Sequence, residues 1–457
     1  MNKLPSSFRD PDGHLFTEEG RLFRQINPGA FDDYSLLLKS GLYEYLTSKN
    51  LLVSHQEHDD RSDDEKIIIE PEKLEFISYP YEWSYTQLRD AALLTLHLQR
   101  RAIEHGMSLK DATAYNIQFR NGKPILIDTL SFEKYEEGNP WVAYKQFCQH
   151  FLAPLALASY RDIRLTELLR TNIDGVPLDL ASGLLPSKSK LNLGIATHIH
   201  LHAKTQQKYA GKGSEGNDAS NKKTIKKIGL LGLIDNLNST IRKLKWKPAD
   251  TEWGDYYEIT NYDDASFDRK KALVSSFIDK CSPKMLWDLG ANDGTFSRLA
   301  SEKGIPTIAF DIDPIAVEKN YLRIKEQKEK NILPLRMDLT NPSPGLGWAH
   351  KERDSLKDRG QVDCCMALAL IHHLCISNNV PLGMVAKYFA ALGKHLIIEF
   401  VPKGDSQVDI LLATREDVFP NYHLEGFEEA FAKYFDVIER SQIEGTKRTL
   451  YLLKTKI

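Results

Sequence analysis

Trp287-Asp288-Leu289-Gly290-Ala291-Asn292-Asp293-Gly294-Thr295-Phe296 is the stretch on which the fold of the second half of this chain turns. It follows a short apolar run, 285–289, and leads into 295–303, whose composition suits a helix. A strand that ends in a glycine turn and opens a helix is the first step of a Rossmann-like βαβ unit. Gly290 allows a tight turn that brings backbone close to a ligand, and Gly294 permits close packing at the helix start. Exposed amides at that helix start are expected to favour an anionic group such as a carboxylate.

Two further acids follow at the same register. Asp311 ends the next apolar run, 307–310, where a carboxylate can accept both hydroxyls of a ribose. Asp338 follows the third run, 332–337, within reach of an adenine amino group. The acid two positions before Gly290 decides between cofactors. A dinucleotide brings a pyrophosphate, which Asp288 would repel. S-adenosylmethionine brings an ammonium and a sulfonium, which it attracts. The alternative is a Rossmann turn that holds nothing.

Working outward, Pro314 suits the first turn of a charged helix to about 330. Runs 362–368 and 395–400 read as strands, with a helix over 381–392 between them. The terminal pair 435–440 and 449–454, joined by a loop containing Gly445, reads as an antiparallel edge hairpin. The class is therefore α/β, a mostly parallel sheet with that hairpin at its edge. His372 and His373 follow the fourth strand, and Glu399 ends the fifth. Strand carboxyl ends line the ligand crevice of such sheets. A base there can take a proton from an acceptor, so His373 is the first catalytic candidate, His372 the second and Glu399 an orienting group or substrate ligand. A histidine pair satisfied within the core is the competing reading. Neighbouring histidines diverge along a regular chain, so no metal is expected.

The D-x-G-x-x-x-G pattern of Asp288, Gly290 and Gly294 resembles motif I of class I S-adenosylmethionine-dependent methyltransferases, with Asn292 where a glycine is commoner. Residues 252–454 are similar to a NoeA-like group within that class. The likeness is carried by DLGANDGTFS, ALALIHHL, IEFVPKGD, REDVFPNY at 415–422 and RTLYLL at 448–453. It implies a seven-stranded Rossmann-like sheet, S-adenosylmethionine as cofactor and methyl transfer, and it names no acceptor. The aromatic stretch 253–262 reads either as a cover over the cofactor or as a packed leading helix.

The first half reads as a separate α+β domain, 1–202, with acceptor recognition as its expected role. Segment 203–227, rich in Lys, Gly, Ser and Asn, reads as a flexible linker, leaving 228–457 as the second domain. A long helix is expected over 85–105, a hairpin around Asn121-Gly122, and another between 67–69 and 74–77. Short helices are expected over 141–201. Asp111 and Asn116, four residues intervening, with Asp128 later on a strand, resemble the catalytic and metal-binding loops of kinase-like folds. That resemblance implies an orienting role for Asp111 and nucleotide–metal binding for Asn116 and Asp128. Leu109, Lys110, Thr129 and Leu130 depart from the pattern, no glycine-rich phosphate loop is present, and Arg24 stands nearest to the strand lysine. The alternative is a hairpin capped by Asp and Asn side chains.

The 457 residues carry 60 Lys and Arg against 63 Asp and Glu, so no basic excess points to nucleic acid or an anionic membrane. The cluster Arg242-Lys243-Leu244-Lys245-Trp246-Lys247 is a small exception, to be read as a solvated face before an anion contact. No apolar run reaches the ~20 residues of a membrane span, and the N-terminus lacks an apolar signal core. Five cysteines without zinc-ligand spacing suit a reducing cytoplasm. Three functions remain: a methyltransferase of unidentified acceptor, a bifunctional kinase-like methyltransferase, and a non-catalytic cofactor-binding scaffold. Oligomeric state is not legible.

Overall fold

The computed structural model describes residues 2–58, 61–63, 65–204, 225–247, 264–413 and 415–456. The chain divides into two compact units, Met1–Lys247 with Gly345–Arg353, and Pro248–Pro344 with Asp354–Ile457.

The first unit opens with an antiparallel sheet of β1 (Asn2–Lys3), β2 (Gly13–Glu18), β3 (Arg21–Ile26), β4 (His55–Glu57) and β5 (Ile67–Pro71), in the order β1-β2-β3-β5-β4. Side chains alternate across it. Ile68 joins Phe16 and Phe23 in one apolar cluster, while its neighbour Ile69 joins Ile26, Tyr34 and Leu130 in another. Helices α1 (Phe31–Lys39) and α2 (Leu42–Ser48) lie between β3 and β4 in sequence. The long helix α3 (Tyr85–Glu104) begins at a capping box: Ser84 Oγ accepts from the Gln87 amide, and Gln87 Oε1 accepts from the Ser84 amide. Two small pairs follow, β6 (Met107–Leu109) with β9 (Phe132–Lys134), and β7 (Ile117–Arg120) with β8 (Lys123–Leu126). The β7–β8 turn has φ of 51° at Asn121 and 71° at Gly122, the doubly left-handed geometry that an Asn-Gly hairpin uses. Short helices occupy much of 144–201.

Two expectations for this unit fail. The hairpin between 67–69 and 74–77 is absent. β5 pairs with β3 and β4 instead, and residues 72–79 contain no strand. The domain boundary also moves. Helix α4 (Lys227–Lys243), assigned by sequence to the second domain, belongs to the first unit. Its Leu230, Ile234, Leu237 and Ile241 are buried, and Asn236 Oδ1 pairs with His198 Nε2 at 2.8 Å. The basic cluster keeps its solvated face, with Arg242, Lys243, Lys245 and Lys247 all exposed, while Leu244 is buried and the Trp246 ring lies 6.2 Å from that of Tyr85. Of the linker 203–227, residues 205–224 lie outside the described residues, as does the aromatic stretch 253–262.

The second unit is built on seven strands: β10 (Leu286–Leu289), β11 (Thr307–Asp311), β12 (Ile332–Arg336), β13 (Val362–Ala367), β14 (Gly393–Phe400), β15 (Phe435–Gln442) and β16 (Thr449–Thr455). Their order is β12-β11-β10-β13-β14-β16-β15. The first five are parallel neighbours, and β16 enters antiparallel between β14 and β15. The connections include α6 (Pro314–Gln327), α7 (Leu382–Leu392), α8 (Ser406–Leu412) and α9 (Leu424–Ala432). Ahead of β10 lies α5 (Asp264–Cys281). Its Val274, Phe277 and Ile278 pack with Leu286, Met366, Ile397 and Leu452 into the main core. The central strands are short and buried, β10 throughout and β11 and β13 at every position but Asp311 and Asp363, as a covered parallel sheet requires. Among the described residues, no helix is long and apolar enough to cross a membrane.

The helix expected over 295–303 shrinks to Arg298–Ser301. Asp293 Oδ1 accepts both the amide and the hydroxyl of Thr295, at 3.0 and 2.8 Å, which favours a turn there over a helical start. Only after Ser297 does the chain wind.

Candidate functional site

The sheet order puts β10 between β11 and β13, where the strand order reverses, so the loops after these strands converge. A cavity of about 390 Å³ lies there, within the range of small-ligand sites. Asp288, Gly290, Asn292, Asp311, Asp338 and His373 all line it. His372, Glu399 and Gly294 do not.

The turn is held open by its two glycines and by Asn292, with φ of 83°, 50° and 79° at Gly290, Asn292 and Gly294. Asparagine tolerates that region better than most residues. A Cβ on Gly294 would come within 2.4 Å of Asn320 Nδ2. Arg298 anchors the same neighbourhood, reaching Asn320 Oδ1, the Asp293 carbonyl and, through two nitrogens, Glu329.

Asp288 is 1% exposed, and its Oδ2 accepts the Ser297 hydroxyl at 2.6 Å. Burial pushes its pKa up to about 7. Asp311 accepts the Asn292 amide on Oδ2 and the Asp313 amide on Oδ1, and burial raises it to about 6. Each oxygen keeps further acceptor capacity for a ligand hydroxyl. Asp338 accepts the Thr340 amide and hydroxyl at 2.8 and 2.6 Å.

The expectation of free amides facing an anion is overturned. Gly290 and Ala291 donate to the Phe310 carbonyl, Asn292 to Asp311, Asp293 to Asn292 Oδ1, Gly294 to the Ala291 carbonyl and Thr295 to Asp293. The turn consumes its own donors.

His373 begins a short π-helical turn, His373–Ser377. Burial pulls its pKa down to about 4, so the ring is neutral at pH 7. His372 is fully buried, with neither ring nitrogen hydrogen-bonded. The two rings do not diverge as a regular chain would have them. Their centroids are 4.1 Å apart, with 41° between the ring planes.

Glu399 lies behind the cavity wall rather than on it. It is wholly buried, and Oε2 accepts the Ala369 amide at 2.9 Å and the Lys270 ammonium at 2.6 Å. Arg448 Nη1 approaches Oε1 at 3.4 Å and pairs in bidentate fashion with Asp405 at 2.7 and 2.9 Å. Ala369 has a φ of 48°, a strained value for alanine, so its bond to Glu399 fixes the loop that leads to His373. Three residues escaped the sequence reading: Lys270, Ser297 and Arg448. Lys270 left a faint trace. Phe267, Lys270, Val274 and Phe277 share one helical stripe, and a lysine in an apolar stripe is a buried-lysine signal.

In the first unit, Asp111, Asn116 and Asp128 do come together. The Asn116 side chain hydrogen-bonds Asp111 and donates to Ser131 Oγ at 3.2 Å, and Ser131 donates to Asp128 Oδ2 at 2.6 Å. Arg24 bridges Asp128 Oδ1 at 2.6 Å and Asp10 at 2.5 Å. Among the described residues, no cluster of three or more His, Cys, Asp or Glu is arranged to hold a metal.

No family model matches the chain. It is 35% identical over 456 residues to the nodulation protein NoeA of Rhizobium meliloti (strain 1021), covering 98% of this chain and 95% of that protein. Among solved structures, magnesium protoporphyrin IX methyltransferase from Synechocystis PCC 6803 with bound SAH is 13% identical, with a TM-score of 0.31 over 42% of this chain and 84% of that one. The N-methyltransferase NodS from Bradyrhizobium japonicum WM9 is 12% identical, with a TM-score of 0.32 over 43% of this chain and 99% of that one. Structural likeness at this level carries no functional information.

Proposed function

The chain belongs to the family of the nodulation protein NoeA, and we propose that its second unit binds S-adenosylmethionine and transfers the methyl group to an acceptor that the first unit helps select. One observation carries the reading: Asp288, Asp311 and Asp338, each at or just past the carboxyl end of a successive strand, line a single cavity. Bound S-adenosylmethionine supplies an electrophilic methyl group on a sulfonium. The rest is the work of the chain. Asp288 faces the cationic amino-acid portion, Asp311 the ribose hydroxyls and Asp338 the adenine edge. Phe296, Leu368, Leu370 and Leu374 furnish an apolar wall that keeps water from the sulfonium. His373, neutral and on the cavity lining, accepts the acceptor's proton.

Titration calorimetry with S-adenosylhomocysteine tests the cofactor, and no measurable binding rejects the reading. Labelled S-adenosylmethionine incubated with a fractionated cell extract identifies the acceptor. With that acceptor, His373→Ala should cut turnover by about 100-fold or more while leaving cofactor affinity near its original value. Unaltered turnover assigns the residue to packing. A cofactor-binding scaffold without turnover would bind S-adenosylhomocysteine and label nothing. Phosphotransfer in the first unit has less support, because Asp128 already serves Arg24, Ser131 and the Leu130 amide.

A further inference from the structure

An anion entering the cavity finds no free backbone amide on the glycine turn, since the six from Gly290 to Thr295 are engaged within the protein. Its positive partner must come from elsewhere. Among the described residues that line the cavity, Lys270 is the only lysine or arginine. Its side chain is 3% exposed, held by Glu399 at 2.6 Å, with the ammonium 4.7 Å from the centre of the Phe296 ring. Lys270 and Asp288 lie close enough to bias each other's charge.

A buried lysine carries a large desolvation cost, and ordinary packing would be served by an apolar residue at this place in the α5 stripe. The cost is met by a built arrangement. Glu399 takes the ammonium, Arg448 approaches the far oxygen of Glu399, and Asp405 balances Arg448. Two cations and two carboxylates cancel, leaving Asp288 as the unmatched charge beside them. An ammonium and a carboxylate offered side by side are the complement of a zwitterionic α-amino acid.

We propose that Lys270 binds the carboxylate of the ligand's amino-acid moiety, while Asp288 takes its ammonium and Glu399 positions the Lys270 side chain. The assignment rests on the reading of the cavity as an S-adenosylmethionine site. It makes the amino-acid end, rather than the nucleoside alone, a determinant of which adenosine compounds the protein accepts.

The test compares two ligands by calorimetry on the full chain. S-adenosylhomocysteine carries the amino acid; 5′-methylthioadenosine keeps the adenosine and the thioether and lacks it. Lys270→Met should weaken S-adenosylhomocysteine about 10- to 100-fold and leave 5′-methylthioadenosine within about twofold. Equal losses for both ligands, or no loss for S-adenosylhomocysteine, overturn the assignment. Should Lys270→Met fail to fold, the double variant Lys270→Met/Glu399→Gln removes both charges together and must show the same selective loss. Unmodified protein that takes up neither ligand overturns the methyltransferase reading and this one with it. Unmodified protein that binds both, with no selective loss in the variants, overturns this one alone.

Discussion

Each unit gathers acidic and amide side chains from strand ends, and the two gatherings end differently. In the first unit, Asp10, Asp128, Asn116 and Asp111 are tied to Arg24, Ser131 and one another. In the second, Asp288, Asp311 and Asp338 face open space, and the first two are pushed up to about 7 and 6 by burial. A closed network spends its electrostatic energy on the fold. An open one holds energy that a cationic ligand can recover. The same residue types therefore carry structure in one place and recognition in the other, and the partners decide which.

The contrast can be broken most forcefully at Arg24. Arg24→Ala leaves Asp128 and Asp10 without their cation and should cost the first unit about 3–5 kcal/mol, read by chemical denaturation. S-adenosylhomocysteine affinity should not change. A stability loss below about 1 kcal/mol would show that the network holds little. Asp288→Asn is the reverse experiment. It preserves an acceptor for Ser297, so stability should hold, while S-adenosylhomocysteine affinity falls by about 30-fold or more. Unchanged affinity removes the basis of the site.

Acidity sharpens the same comparison. Asp288 titrates near 7 in the folded protein against 3.8 for the free side chain. A raised carboxyl stabilises the fold at low pH and loses that contribution as pH climbs from about 4 through about 7. Ligand binding runs the other way, because only the ionised acid attracts an ammonium. From pH 8 down to pH 5.5, S-adenosylhomocysteine affinity should drop by roughly tenfold per unit once below the pKa of Asp288. Parallel titration of Asp288→Asn should be much flatter, and equal slopes in both proteins would assign the effect to other groups. The smallest expected change is Asn292→Gly. It relieves a φ of 50° and forfeits the bond to the Asp293 amide, so stability should stay within about 1 kcal/mol.

What could be read in advance was local. Gly290, Gly294 and Asp311 announce themselves by spacing, and Asn121-Gly122 forms the turn its chemistry demands. The misreadings came from partners distant in sequence. Glu399 looks like a crevice residue until Lys270, 129 positions earlier, and Arg448, 49 positions later, claim it from behind. The amides of 290–295 look available until Asp311 and the Phe310 carbonyl take theirs. Helix α4 follows the compositionally biased segment and still packs with what precedes it, because it lies against α3 and its Asn236 and Thr240 meet His198 and Gly194. Local pattern fixes the kind of element; which surface finally receives it depends on side chains that no window spans.

Strand β16 inserts between β14 and β15, both of which precede it in the chain. A ribosome thus delivers β15 before the strand that must separate it from β14. Until the polypeptide past Gln442 has emerged, the sheet has no finished edge and Glu399 has only one of its two cations. The cavity's three acids emerge early, between Asp288 and Asp338, but its wall is closed only by residues as late as Leu411, and the ion network that steadies its lysine is completed at Arg448. Cofactor uptake by a nascent chain should lag behind the appearance of the glycine turn by more than a hundred residues of translation.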